Sequence, residues 1–393
     1  MTVPDIDHSG AGGQVRDLHQ GTVVVDTLAG GPGVFTATMH HQLAQLDEGL
    51  PRPEFFRELQ RLITSAFLTG EFSAYWQAIR QSMVDVLSIT VGAWGDTPFS
   101  FRGAVYDLGE WHRRFAAVSQ FRHITSPASL RQVKQSGTTG VLLGFQNSTQ
   151  LERDVRNAET FHGLGVRMIQ LTYNDRSDAG DGCMQATDEG LTAFGRELIS
   201  CMNDLGLIVD LSHCGPRTTM EAIEWSRAPV AVSHAACAAL HPHPRNKTDE
   251  VLRALAATGG YIGVCAVPAF LTDQRKRRPS VAVMADHILH AVDLCGQDRV
   301  GIGSDWGVAK APEPMLARLR AEARSRGFRE EHRFDFASTT DGFERWSVGF
   351  PRITQALIDA GLPATAIKGV LGENFCRFYE RVTAAAGTEQ HED

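Results

Sequence analysis

Residues 207–215 read LIVDLSHCG, and residues 229–237 read PVAVSHAAC. Each stretch begins with a short apolar run, which is typical of a strand buried on both faces of a parallel sheet, and then reaches a serine followed by a histidine. A third stretch, VGIGSDWG at residues 300–307, reaches an aspartate in the same way. These three strand endings predict a parallel sheet with polar side chains gathered at one edge.

The same kind of apolar run recurs along the chain between longer amphipathic stretches. Eight such runs predict strands at residues 22–26, 84–89, 140–145, 166–172, 207–212, 229–233, 261–266 and 299–304. Helices are predicted between them, for example over residues 189–205, with Gly206 as the stop, and over residues 249–257. Eight such units form either a closed (β/α)8 barrel or an open doubly wound sheet, and the count alone leaves both open. No GxGxxG motif follows the first run, which disfavours the dinucleotide-binding version.

The domain organisation follows from the same pattern. Residues 21–383 are predicted to form one domain, flanked by flexible segments at residues 1–20 and 384–393. An Arg- and Glu-rich stretch at residues 313–333 predicts a solvated helix within an insertion around residues 310–340. The alternative for this stretch is a lid over the mouth of a barrel.

Composition excludes several classes of partner. Lys+Arg 38 against Asp+Glu 46 gives a net charge of −8 without a long basic run, which disfavours nucleic acid. The seven cysteines are an odd number without a CxxC pair, which indicates reduced thiols in a cytoplasmic protein. The sequence has neither an export signal at its start nor a run of 18 apolar residues, so no membrane partner is expected.

The candidate reaction centre consists of His213, His234 and Asp305, because strand ends at the carboxyl edge carry the chemistry of barrel enzymes. Imidazole and carboxylate are ligands for Zn²⁺ and are also acid and base groups. The alternative is that these side chains are hydrogen-bonded structural residues. Candidates for fixing the imidazole tautomers lie in the same stretches: Asp210, Ser212 and Ser233.

A candidate substrate-binding loop follows the sixth run, where residues 241–250 read HPHPRNKTDE. It places Arg245 and Asn246 in a proline-stiffened segment. A guanidinium there suits bidentate binding of a substrate carboxylate, with surface solvation as the alternative.

Four segments carry a resemblance to a known family: DLSH at 210–213, SHAACAALHPHPRNKTDE at 233–250, GIGSDW at 301–306 and AIKGVLGENFCRFYERV at 366–382. With them, the chain from about residue 22 to residue 382 resembles the membrane dipeptidase family, also called renal dipeptidase or peptidase family M19. The resemblance implies a single (β/α)8 barrel of the metallo-dependent-hydrolase type, a dinuclear zinc site, cleavage of dipeptides and a homodimer.

The resemblance also implies roles for individual residues. His213 and His234 match the two imidazole ligands of one zinc. Arg245 matches the arginine that binds the substrate carboxylate, and Asp305 matches the aspartate that handles the catalytic water.

The sequence departs from the family at the other zinc. In DTLAG at 26–30, Leu28 and Gly30 replace a histidine and an aspartate that are metal ligands in the family. In GFQNS at 144–148, Gln146 replaces the bridging glutamate and becomes a candidate substrate contact. In LTYND at 171–175, Tyr173 replaces a histidine that polarises the substrate carbonyl, and its phenol is a candidate oxyanion donor.

Several alternatives stay open. His40 and His41 lie about a dozen residues beyond the first strand and offer substitute ligands. Otherwise one Zn²⁺ at most binds to His213 and His234, or none binds and the same residues act directly as acid and base.

The leading functional interpretation is a divergent, hydrolase-like enzyme for a small carboxylate-bearing amino-acid- or peptide-like substrate, with ordinary dinuclear dipeptidase activity absent or weak. A second interpretation is a non-hydrolytic acid/base enzyme of specialised metabolism that catalyses a dehydration, isomerisation or tailoring step. A third is a non-catalytic barrel that binds a ligand or scaffolds a complex.

Overall fold

A computed structural model of the chain describes residues 12–33, 36–50, 52–92, 100–308, 313–323, 327–335 and 338–386. Each of the eight predicted strands has a counterpart, and two further short strands join them. The strands are β1 (Val25–Gly30), β2 (Val86–Thr90), β3 (Phe121–His123), β4 (Thr139–Phe145), β5 (Val166–Gln170), β6 (Ile208–Asp210), β7 (Ala231–Ala235), β8 (Tyr261–Val264), β9 (Val300–Ile302) and β10 (Trp306–Gly307).

Sixteen α-helices lie within the described residues. They are α1 (Gly13–Gln20), α2 (Ala37–Gly49), α3 (Arg52–Leu68), α4 (Ser73–Ser82), α5 (Phe101–Ala117), α6 (Pro127–Ser136), α7 (Arg156–Gly163), α8 (Ala193–Leu205), α9 (Pro216–Trp225), α10 (Asp249–Ala257), α11 (Pro268–Leu271), α12 (Val281–Cys295), α13 (Glu313–Ala323), α14 (Trp346–Asp359), α15 (Ala364–Lys368) and α16 (Asn374–Ala384). A π-helical turn, Gly369–Glu373, connects the last two.

The strands form one parallel sheet in the order β10-β1-β2-β4-β5-β6-β7-β8-β9, with β3 paired to β4. β9 and β10 belong to the same short stretch of chain, so the pairing of β10 with β1 brings the two edges of the sheet together. We call this junction, where β1 meets β9 and β10, the seam of the sheet. The backbone N–H of Asp305 contributes to it by donating to the carbonyl of Leu28 at 2.8 Å. The sheet is therefore curled into an α/β barrel-like fold, while the exact count of eight βα units is not confirmed.

The first strand differs from its prediction. The sequence predicts this strand at residues 22–26, whereas β1 begins at Val25 and continues to Gly30. The valines that precede it are buried and produce the apolar signal, but the ladder with β2 forms later along the chain. The helix predicted over residues 249–257 is confirmed as α10, and the stop at Gly206 is confirmed by its φ of 66°.

The core closes the end of the barrel where the strands begin. Residues at the starts of strands, such as Val25 and Ile208, form one apolar cluster with Leu142 and with Phe375 and Phe378 of α16. Because this end is filled by apolar packing, polar chemistry is left to the opposite end, where the strands finish.

The terminal predictions need correction. Residues 13–20 are not flexible, because they form α1 and bury Val15, Leu18 and His19. Residues 1–11 and 387–393 lie outside the described residues. At the other end, α16 ends at Ala384, close to the predicted boundary.

The charged insertion is also less solvated than predicted. Its helix, α13, ends at Ala323 rather than at residue 333, and it buries Leu316 and Leu319. Both leucines line the cavity at the barrel mouth. One face of this helix therefore forms part of the cavity wall.

Two features bear on the environment of the chain. No helix in the described part of the chain is long and apolar enough to cross a membrane. All seven cysteines are free thiols, and all except Cys201 are buried.

Asp26, in β1, stabilises the seam of the sheet through hydrogen bonds to its side chain. Its buried carboxylate accepts hydrogen bonds from the backbone N–H of Ser304 (2.7 Å), the Ser304 hydroxyl (2.5 Å), the Trp346 indole (3.0 Å) and the backbone N–H of Leu28 (3.3 Å). Burial raises the pKa of Asp26 to about 7, although these donors act to lower it. One side chain thus connects β1, the end of β9 and α14.

Asp26→Asn is expected to reduce the free energy of unfolding by about 2–4 kcal/mol. The NH₂ group of asparagine replaces one carboxylate oxygen, so the groups that donate to that oxygen lose their acceptor. The measurement is urea denaturation at pH 8, with the exposed Asp17→Asn as the matched control. A loss in Asp26→Asn no larger than that in Asp17→Asn would contradict this role.

Candidate active site

The predicted site residues lie at one end of the barrel. His213 follows β6, His234 lies in β7 and Asp305 lies between β9 and β10. Gln146 follows β4, and Tyr173 follows β5 shortly after it ends. All the strands are parallel, so their carboxyl ends meet at this edge.

The two histidines are in direct contact. His213 Nε2 lies 3.0 Å from His234 Nε2. The Tyr173 ring stacks on the His213 ring with centroids 4.2 Å apart and planes 21° apart. The amide of Gln146 reaches His234 Nε2 at 3.4 Å. The structure therefore brings together four of the predicted residues.

Asp210 holds the segments that carry both histidines. Its carboxylate accepts the backbone N–H groups of Ser212 (3.1 Å) and Ser233 (2.9 Å). It also accepts their hydroxyls, at 2.6 Å from Ser212 and 2.5 Å from Ser233. The serines therefore have the orienting position that the sequence predicted for them.

These hydrogen bonds define the tautomers of both imidazoles. His213 Nδ1 lies 2.7 Å from Asn174 Oδ1, so it donates its proton there. The Ser233 hydroxyl already donates to Asp210, so it accepts from His234 Nδ1 at 2.8 Å. Both Nε2 lone pairs then face each other, an arrangement that is favourable only with a proton or a metal ion between them.

The surroundings of the pair oppose a positive charge. Burial lowers the pKa of His213 and of His234 well below the usual value, and the charge of Arg245 acts in the same direction. A cation between the two rings therefore needs a nearby anion. The family that the sequence resembles has a glutamate at this position, and this chain has the neutral Gln146.

Asp305 provides a carboxylate in the same cavity. Burial raises its pKa to about 6, while the charge of Arg245 acts to lower it. Its φ of 54° lies in the left-handed region, which aspartate tolerates better than most residues. A carboxylate with such a pKa is largely ionised at neutral pH and is suited to act as a general base.

Arg245 and Asn246 lie behind the site. Arg245 Nη1 donates to the carbonyl of Ser212 at 2.5 Å, and Nη2 donates to that of His234 at 3.0 Å. The Asn246 amide donates to the carbonyls of His241 and Phe270. Neither residue is among those that line the cavity, although Arg245 Nε and Asn246 Oδ1 have no partner.

The donor set does not fit two zinc ions. Leu28 and Gly30 offer no donor atom, and a Cβ on Gly30 would lie 2.5 Å from the Cα of Gly307. Among the described residues, no three His, Cys, Asp or Glu side chains form a group that could hold a metal. The residues present fit at most one ion, held by His213 and His234.

The alternative ligands do not restore the missing half. His40 lines the cavity but joins no such group within the described chain. His41 lies on the surface and contacts the amide of Gln45 at 3.3 Å.

The cavity at the barrel mouth has a volume of about 610 Å³, within the range of sites for drug-sized ligands. The site residues that line it are Leu28, Gly30, Gln146, Tyr173, His213 and Asp305. Apolar side chains from the helices after β1 and from α13 form much of the remaining wall, including Phe56, Leu59, Ile63, Leu316 and Leu319. The cavity thus extends beyond the polar site residues, and much of its additional wall is apolar.

Sequence reasoning missed Asn174, which orients His213. The signal was present, because Asn174 follows Tyr173 directly in the LTYND segment. It also missed the cavity-lining residues Asp107 and Arg114 on α5, because they lie far along the chain from any strand end.

Comparisons with known proteins agree on one family. The family model described as membrane dipeptidase (peptidase family M19) matches residues 14–332. An uncharacterised dipeptidase of Schizosaccharomyces pombe is 35% identical over 187 residues, which is 46% of this chain and 45% of that protein. Dipeptidase tcpJ of Claviceps purpurea is 29% identical over 264 residues, 66% of this chain and 55% of that protein. The chain thus spans about half the length of the curated relatives it matches.

A solved structure is similar over nearly the whole chain. The crystal structure of an amidohydrolase from Pseudomonas aeruginosa is 27% identical, with a TM-score of 0.75. The match covers 94% of this chain and 99% of that one.

Gly30→Ala is expected to destabilise the protein by about 1–3 kcal/mol, because the new methyl group meets the backbone of β10. The adjacent Gly31→Ala is the matched control, since a Cβ there has nothing within 4 Å. Thermal unfolding of both variants measures the difference. Equal stability would mean that β10 leaves room for a ligand side chain at residue 30.

Proposed function

Because the chain belongs to the membrane dipeptidase family, peptidase family M19, we propose that it is a hydrolase-like enzyme whose reaction centre binds at most one metal ion. The observation that carries the proposal is that Tyr173, His213 and Asp305 line the same cavity. The substrate is a small molecule that bears a carboxylate, of the amino-acid or peptide class. The family's homodimer and a cytoplasmic location stay predictions.

In the proposed reaction, ionised Asp305 takes a proton from the attacking water as that water adds to a carbonyl carbon. Asp305 returns this proton to the leaving group when the bond between that group and the carbonyl carbon breaks. The Tyr173 phenol donates a hydrogen bond to the oxygen that becomes negatively charged. His213 is positioned by its hydrogen bond to Asn174 and by stacking on the Tyr173 ring. His234 contacts its Nε2 atom. A single ion on the two imidazoles would add Lewis-acid polarisation of that carbonyl.

Carboxylate binding by Arg245 is kept as part of this proposal, with one restriction. Both Nη atoms already donate to main-chain carbonyls, and Nε is buried without a partner and outside the cavity lining, so a carboxylate reaches this guanidinium only if the surrounding loop moves. Asn246 Oδ1 is buried in the same way, whereas Gln146 lines the cavity directly.

The non-hydrolytic alternative is favoured by one observation, the 3.0 Å contact between the two Nε2 atoms. An imidazole pair of this kind can accept a proton at one position and return it at another without adding water. Incorporation of ¹⁸O from labelled water into the product separates the two reactions. Hydrolysis predicts one labelled oxygen per turnover, and isomerisation predicts none.

The catalytic assignment predicts large losses in two variants. Asp305→Asn is expected to lower kcat by about 10²–10⁴-fold, and Tyr173→Phe by about 10²-fold. The assay measures turnover of a panel of dipeptides, D-amino-acid peptides, N-acyl amino acids and lactams. The exposed His41→Ala serves as the control and should stay within about twofold of the unmodified protein. Activity retained in Asp305→Asn would contradict the assignment, and a tight ligand without any turnover would favour the non-catalytic barrel.

The pH dependence follows from the pKa of Asp305 at about 6. A general base acts in its ionised form, so kcat/KM should rise with pH up to about 6 and then level off. Asp305→Asn should lack this limb in its residual activity. A profile that falls as the pH rises through 6 would contradict the assignment of Asp305 as the base.

A further inference from the structure

We propose that Arg114 and Asp107 on α5 form a second polar subsite in the cavity, which binds the free α-amino and carboxylate groups of an amino-acid moiety of the substrate. The inference rests on the proposed function, because it assumes that this cavity receives the substrate. It adds a binding position on a helix, α5, to the groups that the strand ends provide.

The two residues share one face of α5. They are seven positions apart, which is two helical turns, and both line the cavity. Trp111 lies between them and lines the same wall, and the Arg114 guanidinium lies 4.7 Å from the centre of its ring.

Arg114 is fixed and still has a donor to offer. It is only 1% exposed, and Nε donates to the Thr64 hydroxyl at 3.0 Å. Nη2 donates to the side-chain oxygen of Gln60 at 2.8 Å and to its carbonyl at 3.2 Å. Within the described chain, Nη1 has no hydrogen bond, and this atom is not completely buried. A ligand in the cavity therefore meets a guanidinium that is already positioned.

Asp107 supplies the opposite charge. One carboxylate oxygen, Oδ2, accepts the backbone N–H of Gly92 at 2.9 Å. No hydrogen bond or ion pair joins Asp107 to Arg114. The neighbouring Glu110 is paired at 2.9 Å with Arg113, whose side chain is 55% exposed.

Both groups are charged at neutral pH. Burial raises the pKa of Asp107 to about 6, while the Gly92 N–H and the Arg114 charge act to lower it. Burial lowers the pKa of Arg114 to about 10, and Asp107 acts to raise it. Each residue thus responds to the charge of the other without pairing with it directly.

An amino-acid moiety matches this arrangement. Arg114 is buried and Asp107 is partly buried, and a charge in such a position without a direct charged partner is costly. A ligand with a carboxylate and an ammonium group compensates both charges at once. The apolar wall formed by Phe56, Leu59 and Ile63 suits an apolar part of the same ligand. Because Arg245 is committed to two main-chain carbonyls, Arg114 is the better-placed guanidinium for this carboxylate.

Isothermal titration calorimetry with three probes tests the subsite at pH 7.5. L-Phenylalanine carries both charged groups, 3-phenylpropanoate lacks the ammonium group and phenethylamine lacks the carboxylate. We expect the unmodified protein to bind phenylalanine about tenfold more tightly than either other probe. Arg114→Gln should remove the preference over phenethylamine, and Asp107→Asn should remove the preference over 3-phenylpropanoate.

A control variant and a discriminating variant locate the effect. Arg113→Gln changes the adjacent exposed arginine and should keep both preferences. Arg245→Gln tests the other guanidinium to which the proposed function assigns a carboxylate. If Arg245→Gln removes the preference over phenethylamine and Arg114→Gln does not, the carboxylate binds at Arg245 and the subsite is refuted, while the proposed function stands.

The remaining outcomes are also decisive. Equal binding of the three probes by the unmodified protein, or no binding, overturns the subsite. Arg114 also links α5 to α3, so Arg114→Gln is first checked by circular dichroism. If it does not fold, Asp107→Asn decides alone, because asparagine still accepts the Gly92 N–H. Binding needs no turnover, so a lack of activity in the substrate panel counts against the proposed function and not against the subsite.

Discussion

The carboxylate of Asp210 is the constraint on which the site depends. β6 and β7 share a single residue pair, Asp210 with Ala231, so the ladder alone holds these strands weakly. Four hydrogen bonds from Ser212 and Ser233 to the Asp210 carboxylate connect the two strands in addition. Bonds to an ionised acceptor are stronger than bonds between neutral groups, and here they fix the backbone just before each histidine. Asp26 does the same at the seam, where it holds Ser304 immediately before Asp305.

The sequence predicted the location of the site better than the directions of its side chains. His213, His234 and Asp305 were expected together because parallel strands end at the same edge, and the structure places them there. A guanidinium at residue 245 can donate to a ligand or to nearby carbonyls, and only the folded backbone decides between them. The close approach of Gly30 to Gly307 was equally hidden, since it joins segments far apart in the chain.

The burial of residues on the helices was also hard to predict from the sequence. The charge pattern of residues 313–333 predicted a solvated helix, with a lid over the barrel mouth as the alternative. Leu316 and Leu319 are nevertheless buried, because the barrel mouth offers them an apolar surface. Arg114 and Asp107 gave no signal at all, since a charged residue on an amphipathic helix is normally solvated. Their place in the cavity depends on how α3 and α5 pack together above the sheet.

We propose that this member of the membrane dipeptidase family keeps one imidazole pair and lacks the second half of the family's metal centre. Titrating zinc into chelator-treated protein while measuring both turnover and bound metal tests this most directly. We expect turnover either to need no zinc or to be complete with one equivalent per chain. Activity that appears only with two equivalents would contradict it.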